Sequence, residues 1–548
     1  MESIADELFK EFKENSIAEF FRKNRQMLGY AGKVRSLTTI VHEYVTNSLD
    51  ATEEAGILPE IRVEVKEMGE DKYSVLVRDN GHGIPKNIVG KALASILSGT
   101  KFHRYMQQRG QQGIGASGCT LFAQITTGKP IHVRSSTGKE SYECDLSIDI
   151  KSNKPIVSNM RDISLEFRGL EVYGEFADVK YENSEHGVFE YIKRTALANP
   201  HASISLLDPT GKEYTFLRSV NAMPKKPKVV KPHPLGLEPG DLVEFAHRSE
   251  SRRISSFLMD SFSRVSEAKI NELKQLVSFD LSKSPKELTW QEAEELIKAF
   301  KSMKWVAPEF DSVSPIGEKY LELAMKNIIN PEFISVVERK PKVFRGGIPF
   351  VVEAAIAYGG GAGRKNDEGE EAGGNIIRFA NKVPLLFDSS TCAITYAVRS
   401  IDWKRYSIKD FDQEPVSVLV NVSSVFIPYS GVGKQAIAQE DSIIDEIKLA
   451  VMDAARNIQR YISNVRSRNL AESKYKTIMR YITQLSSDLS ELTGNKQEIL
   501  EEKLKKLVDT KYKKLFEADE QASSTQDGEQ STQEEEQGEH NDESEEES

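Results

Sequence analysis

The sequence predicts a multidomain α+β protein: an α/β sandwich, a small all-helical insert, and a βαβ unit that ends in a long helix. Three observations predict it. Ahead of residue 223, helical and strand periodicities alternate, as when helices lie over one face of a mixed sheet. Residues 223–239 then hold Pro224, Pro227, Pro232, Pro234 and Pro239 among lysines, a density that forbids regular structure. Beyond that linker only helical patterns run to residue 307, and strands resume after Pro315 before a near-heptad helix begins at about 441. A chain of 548 residues is too long for one core, and at about 150 residues each, roughly three domains are expected.

The elements follow in order. Residues 1–30 carry apolar Leu8, Phe9, Phe12, Ile17, Phe20 and Phe21 and read as a helix-forming arm. A helix is expected from about 34 to 54, strands at 61–67 and 73–78, and a glycine-rich lid from about 98 to 118. Strands at 130–135, 141–150 and 165–176, a helix at 188–198, a strand at 203–207 and a turn at 208–212 complete a first domain, 31–230. Short helices at 240–246, 253–262, 267–277 and 290–303 make a helical domain, 231–310. The third domain, 311–471, has a helix at 317–328 and strands at 350–358, 376–380, 393–399 and 416–422. A loop at 428–433 leads to Lys434, and a helix from 441 to 471 repeats Ile443, Ile444, Ile447, Ala450, Val451, Ala454 and Ile458. Residues 472–516 read as further, more polar helix.

Composition narrows the class. The chain is 39% apolar and 29% charged, and no apolar run reaches the roughly 18–20 residues that span a membrane. The charged start MESIADELFKEF is no signal peptide. Cys119, Cys144 and Cys392 lie far apart, form no metal pattern and read as reduced thiols of a cytoplasmic protein. The net charge of −11 is misleading, because residues 517–548 hold 14 acids and no Lys or Arg. Without them 73 basic residues face 70 acidic ones, so the body need not repel nucleic acid. The tail itself reads as a disordered, solubilising end.

Three short segments carry the chemistry. In EYVTNSLDA (43–51), Glu43, Asn47 and Asp50 lie at i, i+4 and i+7 and share one helix face. A carboxamide oxygen and a carboxylate there suit a hydrated metal: Asn47 coordinates, Glu43 takes a proton from water. In DNGHGIP (79–85), Asp79 ends an alternating strand and enters a turn with Gly81 and Gly83. Its carboxylate can accept a hydrogen bond from an exocyclic amine such as adenine's. In RGQQGIGASG (109–118), Gly110, Gly113, Gly115 and Gly118 allow a tight backbone whose N–H groups surround phosphate oxygens. Arg109 precedes them, Gln111, Gln112, Ile114 and Ala116 lie between and after, and helix-compatible residues run to Gln124. Phosphates would then face a helix N-terminus. Thr100 and Lys101 open the lid and are further candidates for the nucleotide. Alone, Glu43 is a solvated helix acid and Asp79 an Asx turn residue; the order of the three segments decides for ATP.

E-x-x-x-N-x-x-D-A, then D-x-G-x-G, then a glycine lid resembles the Bergerat ATP fold of gyrase-type topoisomerases, MutL, the ninety-kilodalton heat-shock chaperone and histidine kinases. No G-x-x-x-x-G-K-[ST] occurs, and the lid does not follow a first strand, so neither a Walker nor a Rossmann site is present. With the helical insert and the third unit, the chain more narrowly resembles the B-subunit family of DNA topoisomerase VI, the archaeal type IIB enzyme. That resemblance covers roughly residues 15–470 and includes KPHP, INPEF, FANKVPL, WKRY and GKQAIA.

The resemblance implies a Bergerat-type (GHKL) ATPase, a helix-two-turns-helix domain and a transducer, with ATP and Mg²⁺ as cofactors. It makes Lys434, with Gln435, the group that reaches from the third domain to the γ-phosphate. It implies that ATP drives dimerisation around double-stranded DNA. It also implies pairing with the topoisomerase VI A subunit in an A2B2 heterotetramer that relaxes supercoils and decatenates DNA. The chain has 18 tyrosines but no E-G-D-S-A or D-x-D cluster after the third unit, so the cleaving centre is expected on another polypeptide. Basic segments at 460–468 and 225–231 could meet DNA phosphate or be solvated faces. One feature departs from the family: where Gly-Thr is usual, this chain has Gly169–Leu170, and Leu170 offers no hydroxyl. A MutL-like mismatch-repair ATPase and an ATP-dependent chaperone are the alternatives, and the helical insert argues against both.

Overall fold

The computed structural model of the chain describes residues 16–99, 104–110, 113–365, 371–431 and 433–511. Thr100, Lys101, Gln111 and Gln112, the first part of the arm and the acidic end lie outside the described residues. The described residues form two compact units: one comprises those up to 402 together with 410–455, the other 403–409 together with 456–511.

The first unit opens on an eight-stranded sheet. Its strands are β1 (Glu60–Gly69), β2 (Lys72–Arg78), β3 (Ile131–Ser136), β4 (Ser141–Asp149), β5 (Lys154–Asp162), β6 (Gly169–Ala177), β7 (Ser203–Leu207) and β8 (Glu213–Phe216). They lie in the order β5-β4-β3-β6-β2-β1-β7-β8. Only β1 and β7 pair in parallel. The two-residue period of a strand sets the layers: Ile61, Val63 and Val65 are buried, while Arg62 and Glu64 pair with each other on the opposite face. The helices Lys33–Glu54, Gly115–Thr127 and Val188–Ala198 share one apolar core with these strands. The sequence does not betray β5, because nearly all its side chains are exposed and no apolar alternation marks it.

The proline-dense segment has no regular structure before a short turn of 3-10 helix at Pro234–Gly236. Its backbone is tied by Lys228 N–H to the Asp311 carbonyl at 2.9 Å and Val230 N–H to the Tyr105 carbonyl at 3.1 Å. Helices Pro239–Arg248, Ile254–Ser261, Glu267–Leu273 and Trp290–Ser302 then close on Phe257, Leu258, Leu296 and Phe300. The last helix starts at a capping box between Thr289 and Glu292.

A second sheet follows the helix Glu318–Ile328. Its strands are β9 (Phe333–Glu338), β10 (Lys342–Phe344), β11 (Ile348–Tyr358), β14 (Asn375–Ala380), β15 (Val383–Pro384) and β16 (Val416–Ser424). A separate pair is formed by β12 (Arg364–Lys365) and β13 (Glu371–Gly373). The order is β10-β11-β16-β14-β15, with β9 on β11 as well. One expectation is corrected: 393–399 is the helix Ala393–Arg399, not a strand. Ala393, Ile394, Ala397 and Val398 are buried at helical spacing, and the helix is the crossover between the parallel strands β14 and β16. Leu197 and Ala198, from the helix Val188–Ala198, enter the core of this second sheet beside Leu321, Met325 and Phe379.

The long helix runs from Asp441 to Thr493. In the first unit, Ile443, Ile447 and Val451 are buried, and Arg339 holds Glu446 at 2.7 Å and Asp453 at 2.6 Å. In the second unit, Gly494 (φ +68°) ends it, and residues 497–511 form a helix that places Val508 against Ile482. Tyr475 Oη donates to Asp509 across that hairpin at 2.8 Å. Among the described residues no helix is long and apolar enough to cross a membrane.

Candidate active site

The helix Lys33–Glu54 presents the expected face. Asn47 is exposed and the Glu43 side chain is 29% exposed, while Leu37, Ile40, Val41 and Val45 fill the core behind them. The helix Gly115–Thr127 starts against Glu43: a Cβ at Gly115 would run into the Glu43 carboxylate. Ile114 and Ala116 flank this contact. The free N–H groups of a helix start, where the dipole favours anions, therefore lie beside the carboxylate that could activate water. Gly113, two residues earlier, has φ +60°, a turn conformation that favours glycine, and a Cβ at Gly110 would meet no atom within 4 Å.

Asp79 sits in a prepared socket and is 4% exposed. Its Oδ1 accepts from Gly81 N–H at 2.9 Å and Leu170 N–H at 3.2 Å, and its Oδ2 accepts from Ser48 Oγ at 2.9 Å. Burial nevertheless outweighs these three donors and raises its pKa. Gly169 has φ +134°, and a Cβ there would strike the Asp79 carbonyl, so the glycine of the expected Gly-Thr pair keeps its role. Leu170 takes part through its backbone, which also accepts from Asp79 N–H at 2.9 Å. A hydroxyl reaches Asp79 from Ser48 instead. Sequence reading passed over Ser48, although a serine on the buried side of a helix beside Asn47 was the available signal. Gly83 (φ +69°) lies so close to the Ser136 carbonyl that a Cβ would come within 2.5 Å.

Arg109 and Asp50, both expected at the nucleotide, are joined to each other. Arg109, its side chain 6% exposed, donates to Asp50 at 3.0 Å, to both oxygens of Glu53 at 2.6 and 2.8 Å, and to Asn199 Oδ1 at 2.6 Å. Burial alone would raise the Glu53 pKa, but Arg109 and a bond from His201 hold it well below the carboxylate range. This cluster ties the lid stem to the end of the Glu43 helix. On its other side, Gln107 Oε1 accepts from Ser314 N–H (2.6 Å) in the loop ahead of the helix Glu318–Ile328, and its Nε2 donates to Ser423 Oγ of the second sheet (3.4 Å).

The loop of Lys434, 391 residues after Glu43, lies against the Glu43 helix near its start, where Lys434 and Arg35 line one cavity. His42 lies beside Glu43, with Nε2 3.8 Å from the carboxylate. Its pKa is lowered chiefly by burial; Glu43 opposes that shift and the Lys434 ammonium adds to it. Lys434 has φ +52°, and its N–H closes a turn on the Gly431 carbonyl at 3.2 Å. Gln435 Oε1 accepts from Phe387 N–H at 3.3 Å, so that side chain braces the loop.

The residues fit ATP with magnesium. Asn47 and Glu43 present one carboxamide and one carboxylate, and among the described residues no cluster of three His, Cys, Asp or Glu could cage a metal alone. Magnesium is commonly held by one or two protein groups plus substrate phosphates, which matches this sparse set.

Residues 32–151 match the family of histidine kinase-, DNA gyrase B- and HSP90-like ATPases, and residues 308–474 match the topoisomerase VI B subunit transducer. The chain is 46% identical to the B subunit of type 2 DNA topoisomerase 6 from Pyrococcus horikoshii, over 92% of this chain and 97% of that one. It is 45% identical to the corresponding protein of Methanothermobacter thermautotrophicus, over 87% and 91% respectively.

Proposed function

This chain belongs to the B-subunit family of type 2 DNA topoisomerase 6, and from that premise we propose that Glu43, Asn47, Asp79, the Gly115 helix start and Lys434 form its ATP-hydrolysing site. The chain is the ATP-binding and ATP-hydrolysing component of a DNA-relaxing and decatenating enzyme. Asp79 selects adenine by accepting from its exocyclic amine on the free side of Oδ2. The N–H groups from Gly113 to Ala116 hold the phosphates. Glu43 takes the proton from the attacking water as the bond from the γ-phosphorus to ADP oxygen breaks. Magnesium, held by Asn47, would supply charge neutralisation on the phosphate oxygens.

Lys434 reads the terminal phosphate and loses that contact on hydrolysis, so the second sheet tracks nucleotide state. A point charge on a flexible stem suits this sensing. On this reading two ATP-bound copies close on a DNA duplex in a cytoplasmic heterotetramer with the topoisomerase VI A subunit, which carries the cleaving tyrosine. The observation that carries the reading is that the Lys434 loop lies against the helix that carries Glu43: a Cβ on Gly433 would sit 3.7 Å from Arg35 Nη2, and Arg35 and Lys434 line one cavity. Glu43→Ala tests it. Nucleotide should still bind, while turnover of the full chain falls roughly 10²–10⁴-fold, the usual range for a lost general base. Turnover within twofold of the parent would remove Glu43 from the mechanism.

A further inference from the structure

Arg35 lies on the same helix as Glu43, two turns nearer its start. Its guanidinium forms a two-pronged pair with Asp388, Nη1 to Oδ1 and Nη2 to Oδ2, both at 3.1 Å. It also lies over the Phe387 ring, 4.7 Å from the centroid. One side chain of the first sheet's helix thus grips two consecutive residues of the segment leaving the second sheet. That segment is wired to the Lys434 loop. Phe387 N–H donates to Gln435 Oε1 at 3.3 Å. The buried Arg378 donates to the Phe387 carbonyl at 2.9 Å and reaches the Gln435 carbonyl at 3.5 Å. Arg35 also lies beside the loop, since a Cβ on Gly433 would sit 3.7 Å from Arg35 Nη2. A cavity of about 280 Å³ lies at this junction, lined by Gln26, Arg35, Asp388, Ser430, Lys434 and Gln435.

We infer that the Arg35–Asp388 pair is a positioning device for hydrolysis: it sets the Lys434 loop against the helix that carries Glu43. This rests on the role proposed above for Lys434. The pair is poorly placed to be a stability element, because the Asp388 side chain is 47% exposed and Arg35 23%, and exposed ion pairs contribute little. Its geometry is what matters. A planar guanidinium meeting both carboxylate oxygens fixes orientation as well as distance, which a lysine cannot do. The path from the Glu43 helix runs through Arg35 to Asp388 and Phe387, on to Gln435, and so to its chain neighbour Lys434.

The test compares ATP turnover of full-length Arg35→Ala, Asp388→Ala, Arg35→Lys, Lys434→Ala, their pairwise combinations, and the exchanged pair Arg35→Asp with Asp388→Arg. Arg35→Ala and Asp388→Ala should each lower kcat roughly 10- to 100-fold, the scale of a misplaced group, with KM and melting temperature unchanged. Arg35→Lys should behave like Arg35→Ala, the two alanines together like either one, and the exchanged pair should regain part of the loss. Adding Arg35→Ala to Lys434→Ala should lower kcat no further. Parent-like kcat in Arg35→Ala, a rise in KM alone, or losses that multiply with Lys434→Ala would overturn the inference. If Lys434→Ala itself turns over like the parent, the reading of Lys434 has failed, and the pair has nothing to position. Should either single variant melt several degrees lower, the exchanged pair decides: recovered kcat supports positioning, and none refutes it.

Discussion

Replacing Asp79 by Asn removes one charge and turns one acceptor into a donor with almost no change of shape. An amide oxygen in the place of Oδ1 keeps the bonds from Gly81 and Leu170. The amide nitrogen then faces Ser48 Oγ, which can rotate to accept rather than donate. The socket therefore survives, and the change falls on the group that should meet the adenine amine. A hydrogen bond to a charged acceptor contributes about 1.5–3 kcal/mol, so its loss should weaken nucleotide binding roughly 10- to 150-fold. Calorimetry with a non-hydrolysable ATP analogue measures this, and a dissociation constant within about threefold of the parent's would refute adenine recognition by Asp79. The same variant tests the electrostatics. Burial raises the folded-state pKa of Asp79, so its contribution to stability is fully present below the ordinary value of about 3.9 and is lost as pH rises through the raised one. Asn does not titrate. The melting temperature of the variant minus that of the parent should therefore rise with pH from about pH 4 upward; the opposite trend would refute the burial argument.

Two further outcomes follow from close contacts. Gly115→Ala places a Cβ in the Glu43 carboxylate, yet alanine is better than glycine in a helix by about 0.8–1 kcal/mol; turnover should fall roughly 100-fold with no loss of melting temperature, and parent-like turnover would show that Glu43 is not held there. Lys382 is buried, and burial lowers its pKa to about 8 from an ordinary 10.4 or so, so its charge costs folding about 3 kcal/mol at pH 7 and nothing above the ordinary value. Lys382→Met should gain stability over the parent at pH 7 and lose that advantage between about pH 8 and 10; equal differences at both ends would refute it.

The chemistry at the first sheet was legible in the sequence because it is local. Glu43 and Asn47 fall on one face by helical periodicity, and Asp79 follows a strand whose alternation is plain. Residues 393–399 misled for a related reason: AITYAVR alternates as a strand does and also repeats at helical spacing, and only the crossover from β14 to β16 chooses between them. With family membership resting on a relative 46% identical over 92% of this chain, the chaperone and mismatch-repair alternatives fall away.

Helix faces, turns at glycines and the broken segment of prolines depend on backbone geometry that each residue and its near neighbours impose, so the sequence alone determined them. Side-chain partners were decided by tertiary structure. An arginine before a glycine-rich loop looks free to meet phosphate, and only the fold brings Asp50, Glu53 and Asn199 to claim Arg109. Read in the chain, Leu170 costs the site a hydroxyl, and only the fold sets Ser48 against Asp79. Nothing near Arg35 in the chain foretells Asp388, or that the Lys434 loop would lie against the Glu43 helix. A charged side chain takes whichever partner the packed elements present within a few ångströms, and that depends on strand order and register in two sheets at once.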